Sequence, residues 1–288
     1  MQAVSAPGPS ESNRQREEEV VFPPALSLTG VTVRFGAVTA LADVTFRVPK
    51  GSITGLIGRN GAGKSTSIRL LAGLLSPGKG EVAVLGKSFT EAEGVMGGKA
   101  AQIKKNTGYL LSEPALFAYL TPVETLRFLA ESYGLSAAEG ARRAEDLIAF
   151  FELTGARERV VEGFSTGMQK RLALAAALVH SPQLLVLDEP FESLDPLIVR
   201  KIKQLLVQYV HEGGSVLLSS HLIDAVDEIC DRVVILDRGR IVVDDTTAEA
   251  KRRVEGQLGP ATLEELYAAV VEGRMDTTLE WLSQRERL

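Results

Sequence analysis

The stretch GLIGRNGAGKST, residues 55–66, limits what this chain can fold into more than any other. Gly58, Gly63, Lys64 and Ser65 form the pattern G-x-x-x-x-G-K-[ST], between an apolar strand pattern and a helical one. Glycines let a backbone curl until successive N–H groups face one anion. The helix that follows adds its positive end. At these positions a lysine reaches the β and γ phosphates of a nucleotide, and a serine hydroxyl suits Mg²⁺. The alternative, a glycine turn that caps a helix beside a solvated Lys64, leaves this strand–loop–helix context without a purpose.

The rest of the chain supplies what such a loop needs. From Leu26 short strands are predicted in LSLTGVTVRF, VTFRV and SITGLIG, with a helix in GKSTSIRLLAGLL and a strand in GEVAVLG. TEAEGVMGGKAAQ reads as loop or weak helix. Two helices follow without an intervening strand. In TPVETLRFLAESYG, Thr121, Pro122 and Glu124 make a capping box with a first-turn proline. Ser136 and Glu139 repeat the signal in SAAEGARRAEDLIAFFEL. Apolar strands (QLLVLDE, GSVLLSS, DRVVILD) then alternate with helices (PLIVRKIKQLLVQYV, HLIDAVDEIC), the pattern of a parallel sheet buried on both faces. The expected fold is α/β: a phosphate-loop core with a mostly parallel sheet, an N-terminal antiparallel β subdomain and an inserted α-helical subdomain. Residues 1–25 are expected to be a disordered arm and 26–245 the main domain, its helical part at about 113–180. Residues 246–288 are expected to form a helical extension that carries the sole tryptophan, Trp281.

A second half-site is predicted at LLVLDEP, an apolar strand that ends in two acids. Asp188 would hold Mg²⁺ through water, and Glu189 would orient or deprotonate an attacking water. Composition narrows the classes. The net charge of −5 argues against a nucleic-acid binder, which needs a clustered basic face. The single cysteine, Cys230, closes an apolar-periodic helix and reads as a buried thiol in a reducing compartment. No run approaches the roughly 18 apolar residues of a membrane span, and the N-terminus does not have a signal-peptide pattern. Of the histidines, His180 and His211 read as structural or solvated.

A third stretch, FSTGMQKR (Phe164 to Arg171), precedes a strongly apolar helix. Ser165 and Gly167 leave backbone amides free at a helix start, and no acid follows at once. Taken alone, Ser165 is an ordinary N-cap. Together with the phosphate loop and LLVLDEP, the stretch resembles the signature sequence of the ATP-binding subunits of ABC transporters, usually LSGGQ. Ser165 and Gly167 match it; Thr166 and Met168 depart from it, in a form similar to the branch that pairs with ABC-2-type export permeases. The resemblance runs from about Leu26 to Asp245.

The resemblance implies an ATPase. Two subunits, either two copies of this chain or this chain with a relative, would pack head to tail around two ATP and drive a separate integral-membrane permease from the cytoplasmic face of the cell membrane. A homodimer is the expected pair, without nucleic acid. ATP and Mg²⁺ are the implied cofactors. Nucleotide contacts would come from Gly58, Asn60, Gly61, Gly63, Lys64, Ser65 and Thr66. Ser165 and Gly167 would grip the γ-phosphate of the partner's ATP. Phe35 stands where the family stacks an aromatic on adenine, although a strand-end phenylalanine can equally be core. His221 matches the histidine that meets the γ-phosphate, and Asp195, in SLDP, matches the loop that signals between subunits. Where the family has a metal-holding glutamine this chain has Ser112, a shorter ligand for Mg²⁺. The helical region, with LFAYL (Leu116 to Leu120), would dock the permease. Two alternative readings are a soluble ABC protein that does not transport and an ATP sensor with little turnover.

Overall fold

The computed structural model describes residues 23–89, 98–253 and 262–272. Most of the N-terminal arm, Trp281 and residues 90–97 lie outside the described residues.

Two sheets build the fold. Strands β1 (Leu26–Phe35), β2 (Val38–Val48), β4 (Lys79–Val84) and β5 (Lys87–Phe89) form an antiparallel sheet in the order β2-β1-β4-β5. Strands β3 (Ile53–Ile57), β6 (Thr107–Leu110), β7 (Leu184–Asp188), β8 (Ser215–Ser220), β9 (Arg232–Asp237) and β10 (Arg240–Thr246) form the second, in the order β10-β9-β3-β8-β7-β6. All its pairings are parallel except β10 with β9.

The central strands are continuously apolar because both faces are covered. Successive residues fall to opposite faces, and the two hydrophobic cores divide them accordingly. Leu185, Leu187, Val216, Leu218, Val233 and Ile235 belong to one core. Leu184, Val186, Leu217, Val234 and Leu236 belong to the other, with the inner face of the antiparallel sheet and helix α1 (Lys64–Leu71).

The helical region lies between β6 and β7. Helix α3 (Pro122–Ser132) has the predicted capping box in full, with Thr121 and Glu124 bonded reciprocally. Helix α4 (Ala137–Phe150) has half of one. Ser136 accepts from the Glu139 amide, but the Glu139 side chain turns to Arg142 and Arg143. Two charge-assisted bonds outcompete one to a backbone amide. Helix α5 (Thr166–Leu178) follows, and helices α6 (Pro196–His211) and α7 (Ile223–Ile229) lie between the later strands. Cys230 ends α7 and is buried, as expected, and burial pushes its thiol well above the usual range.

Strands β5, β6 and β10 depart from the sequence-based reading, whereas helix α2 (Gly98–Lys105) takes the weak-helix option at the end of TEAEGVMGGKAAQ. Each strand is short or polar on one side and lacks the apolar run that marked the others. Beyond β10 come α8 (Thr247–Arg252) and α9 (Leu263–Tyr267), the latter continued by a wide π turn over Ala268–Glu272.

Candidate active site

Gly58 follows β3 directly, and its position tolerates no side chain: a Cβ there would lie 2.4 Å from the Leu236 carbonyl oxygen. Gly63 has φ +114°, a left-handed conformation that favours glycine, and a Cβ would meet Leu41 and the Ala40 carbonyl within 3 Å. The loop therefore threads between β9 and β2 and emerges as the start of α1. That start has no side-chain cap and no acid in its first turn. A helix end left in this state is a site for an anion.

The Lys64 ammonium, almost fully buried, donates to the Gly58 carbonyl at 2.7 Å and lies 3.4 Å from Glu189 Oε1. Asn60, Gly61, Gly63, Lys64, Ser65 and Thr66 line one cleft with Ala40, Glu189, Glu192 and His221. The cleft has a volume of about 290 Å³. Residues predicted from three separate stretches thus share one cavity.

Asp188 and Glu189 end β7. Asp188 is buried, and its Oδ1 accepts from the Ser219 hydroxyl at 2.5 Å. The same hydroxyl accepts from the Glu189 amide at 3.0 Å. Glu189 has φ +49°, and Pro190 follows it. A residue other than glycine in the left-handed region is strained, and a residue before proline favours extended backbone. The Glu189 side chain reaches across to His221: Oε2 accepts from the His221 amide at 3.1 Å and contacts Nδ1 at 2.9 Å. An ionised carboxylate only accepts, so in this contact Nδ1 is the nitrogen that carries a proton.

The other predicted residues lie around this centre. Phe35 is 49% exposed at the tip of the β1–β2 hairpin, so it is no core residue, although it does not line the cleft itself. Asp195 caps α6, its Oδ1 accepting from the Leu197 and Ile198 amides at 3.1 Å each. Ser112 is exposed just past β6 and is not part of the cleft lining. The start of α5 is not bare as expected: Ser165 Oγ accepts from the Met168 amide, at a long 3.3 Å. No acid stands in the first turn of α5, and the Thr166 and Gly167 amides have no side-chain acceptor among the described residues. A Cβ on Gly167 would come within 3.0 Å of the Ser193 carbonyl, so this helix start is wedged against the loop that leads to Asp195.

Sequence reasoning missed two residues. Ser219 holds both acids at the end of β7, and its signal was a serine within an apolar strand. Lys170 donates to the Glu189 carbonyl at 2.9 Å from a nearly buried position. Its signal was a charge one helical turn before Ala173 and Leu174, and two before Ala177, on the buried stripe of α5.

The donor set fits a magnesium ion. Ser65 and Asp188 are hard oxygen donors, and no cluster of three or more histidine, cysteine or acidic side chains suits a metal among the described residues. Mg²⁺ commonly takes one or two protein oxygens and completes its shell with phosphate and water.

Comparison with known proteins agrees with this geometry. The family model "ABC transporter" matches residues 41–192. The linearmycin resistance ATP-binding protein LnrL of Bacillus subtilis is 33% identical over 231 residues, 80% of this chain and 72% of that protein. The daunorubicin/doxorubicin resistance ATP-binding protein DrrA of Streptomyces peucetius is 35% identical over 227 residues, 79% of this chain and 67% of that protein. Among solved structures, an ATP-binding subunit of an ABC transporter superposes with a TM-score of 0.76 at 33% identity, covering 85% of this chain and 99% of that one. The dimeric post-hydrolysis state of the ATP-binding cassette MJ0796 bound to ADP and Pi superposes with a TM-score of 0.70 at 25% identity, covering 77% and 98%.

Proposed function

Since this chain belongs to the ABC transporter family, as an ATP-hydrolysing cassette homologous to exporter and resistance ATPases, we propose that it is the motor subunit of an exporter. Two copies close around two ATP and drive a separate membrane permease. The observation that carries this reading is the shared cleft, in which the uncapped start of α1, Lys64, Glu189 and His221 surround one space.

In this reading the phosphate-loop amides of Gly61, Gly63 and Lys64, with Asn60 and Thr66 beside them, wrap the β and γ phosphates. The Lys64 ammonium exchanges the Gly58 carbonyl and Glu189 for phosphate oxygens. That exchange frees the Glu189 carboxylate, which accepts a proton from the attacking water as its oxygen bonds to the γ-phosphorus and the bond to ADP breaks. His221 holds Glu189 in line from one side, and its Nε2 faces the γ-phosphate region. Ser65 and Asp188, with Ser112, would hold Mg²⁺, which would supply positive charge to offset that of the phosphates. Phe35 offers its exposed ring to adenine. Ser165 and Gly167 grip the γ-phosphate of the partner's ATP, and Asp195 senses the partner across the interface.

The proposed organisation is an ATPase domain over residues 26–245, with a helical subdomain at about 113–180 that docks the permease through Leu116 to Leu120, and an extension over 246–288. Work at the cytoplasmic face follows from the docking. No helix among the described residues is long and apolar enough to cross a membrane. The relatives named for linearmycin and daunorubicin resistance support the export direction.

The test is ATP-dependent association of the Glu189→Gln protein, followed by light scattering. A monomer that becomes a dimer only with Mg-ATP is the expected result. A monomer at every ATP concentration overturns the two-copy site.

A further inference from the structure

The signature stretch and the hydrolytic carboxylate of the same chain are joined by one side chain. Ser165 and Gly167 start α5, and Lys170 lies little more than one turn later on its buried face. Its Nζ donates to the carbonyl oxygen of Glu189 at 2.9 Å and lies 3.7 Å from Glu192 Oε2. Burying an ammonium is costly unless it is paired and hydrogen-bonded. Here the pairing goes to a peptide with its own strain: Glu189 at φ +49° before Pro190. The Glu189 amide is held by Ser219 and its carboxylate by His221 and Lys64. Its carbonyl is held by Lys170. Backbone strain of this kind persists only where surrounding contacts over-determine it.

We infer that Lys170 is a positioning residue for hydrolysis, fixing the Glu189–Pro190 peptide so that the carboxylate points into its own cleft, and that through α5 it ties this alignment to the nucleotide gripped by Ser165 and Gly167 at the other site. The inference rests on the proposed roles of Glu189 and of the α5 start. A second contact runs in parallel, since Gly167 abuts the Ser193 carbonyl, in the loop that begins three residues after Pro190. Any shift of the α5 start on meeting a phosphate therefore reaches Glu189 by Lys170 and by this loop. Because each chain's α5 faces the partner's ATP, the linkage makes turnover at one site depend on occupancy of the other.

The test compares Lys170→Met, which keeps the apolar stem and removes the donor, with Lys170→Arg, which keeps a charged donor. Steady-state ATPase, ATP affinity by displacement of a fluorescent nucleotide, and the thermal midpoint are measured in the full chain. The expected result for Lys170→Met is a kcat at least tenfold lower with ATP affinity and midpoint near wild type, and a Hill coefficient for ATP that falls towards one. Lys170→Arg recovers at least half of the lost rate. A kcat within twofold of wild type, or a loss of rate matched by loss of affinity and stability with no rescue by arginine, overturns the inference. If Lys170→Met does not fold, Lys170→Gln is measured against the same criteria. Glu189→Gln runs alongside. If it hydrolyses ATP at the wild-type rate, the role of Glu189 itself is wrong; if it is inactive while Lys170→Met is unaffected, only the linkage fails.

Discussion

His180 shows how one residue's surroundings set its chemistry. It follows α5 and stacks on Tyr133 with ring centroids 3.8 Å apart and planes 7° from parallel. Burial, with Arg143 nearby, holds its imidazole down at about 4, although a backbone contact to Thr107 works the other way. The folded state therefore keeps this ring neutral over a range in which the unfolded chain protonates it. Stability is complete above the unfolded value near 6.5 and is lost as pH falls towards about 4. The ring is only half-buried, so solvent screening limits the effect to about 1–2 kcal/mol. His180→Phe keeps the stack and removes the proton. Urea melts at pH 7 and pH 4.5 are expected to show a smaller drop for this variant than for wild type, by about that amount. Sequence alone marked His180 as structural or solvated, and the structural half of that reading holds. The depressed proton affinity was not legible, because Tyr133 comes from another helix.

At the scale of elements, β6 depends on a glycine. A Cβ on Gly108 would lie 2.0 Å from the Ala177 carbonyl oxygen of α5 and 2.8 Å from Leu185 on β7. The Leu185 side chain could shift, but the Ala177 carbonyl is helix backbone and cannot give way without moving α5. Gly108→Ala is expected to cost about 3 kcal/mol, the upper end for overpacking, or to prevent folding. Equilibrium denaturation of the purified variant checks this. The element itself was not expected from the sequence: TGYL is four residues long and carries no alternation. It becomes a strand because β7 presents an unpaired edge from Leu184 to Leu187. Thr121 and Glu124 stand at the opposite extreme, since their capping box was legible from four consecutive residues and formed as read. Caps are local, whereas edge strands are supplied by their neighbours.

Across the whole molecule, exposed aromatic surface gathers on the helical side. Phe117 and Tyr119 precede α3, and Phe128 lies on it; all three are exposed, and the rings of Phe117 and Phe128 meet edge to face at 5.1 Å. Beside them an apolar cavity of about 230 Å³ is lined by Leu116, Phe117, Leu129, Tyr133 and His180. A surface of this kind suits a partner's apolar side chains, in keeping with the proposed permease contact. Phe117→Ser is expected to weaken association with permease-containing vesicles about tenfold, as for an aromatic anchor. The ATPase rate of the isolated subunit should stay within twofold of wild type. Cosedimentation and a phosphate-release assay read the two effects separately.

The sequence by itself determined the phosphate loop, the acids that end β7, the doubly buried central strands and the capping box of α3. Each of these is written in adjacent residues, whose spacing dictates backbone curl, face or cap. Only the tertiary structure decided that Ser219 would hold Asp188 and the Glu189 backbone together, that Lys170 would reach across from α5, and that Glu189 would sit strained between them. Those arrangements join residues tens of positions apart, and no local periodicity encodes them. They exist because a buried amide, carbonyl or ammonium must find a partner wherever the fold brings one within reach.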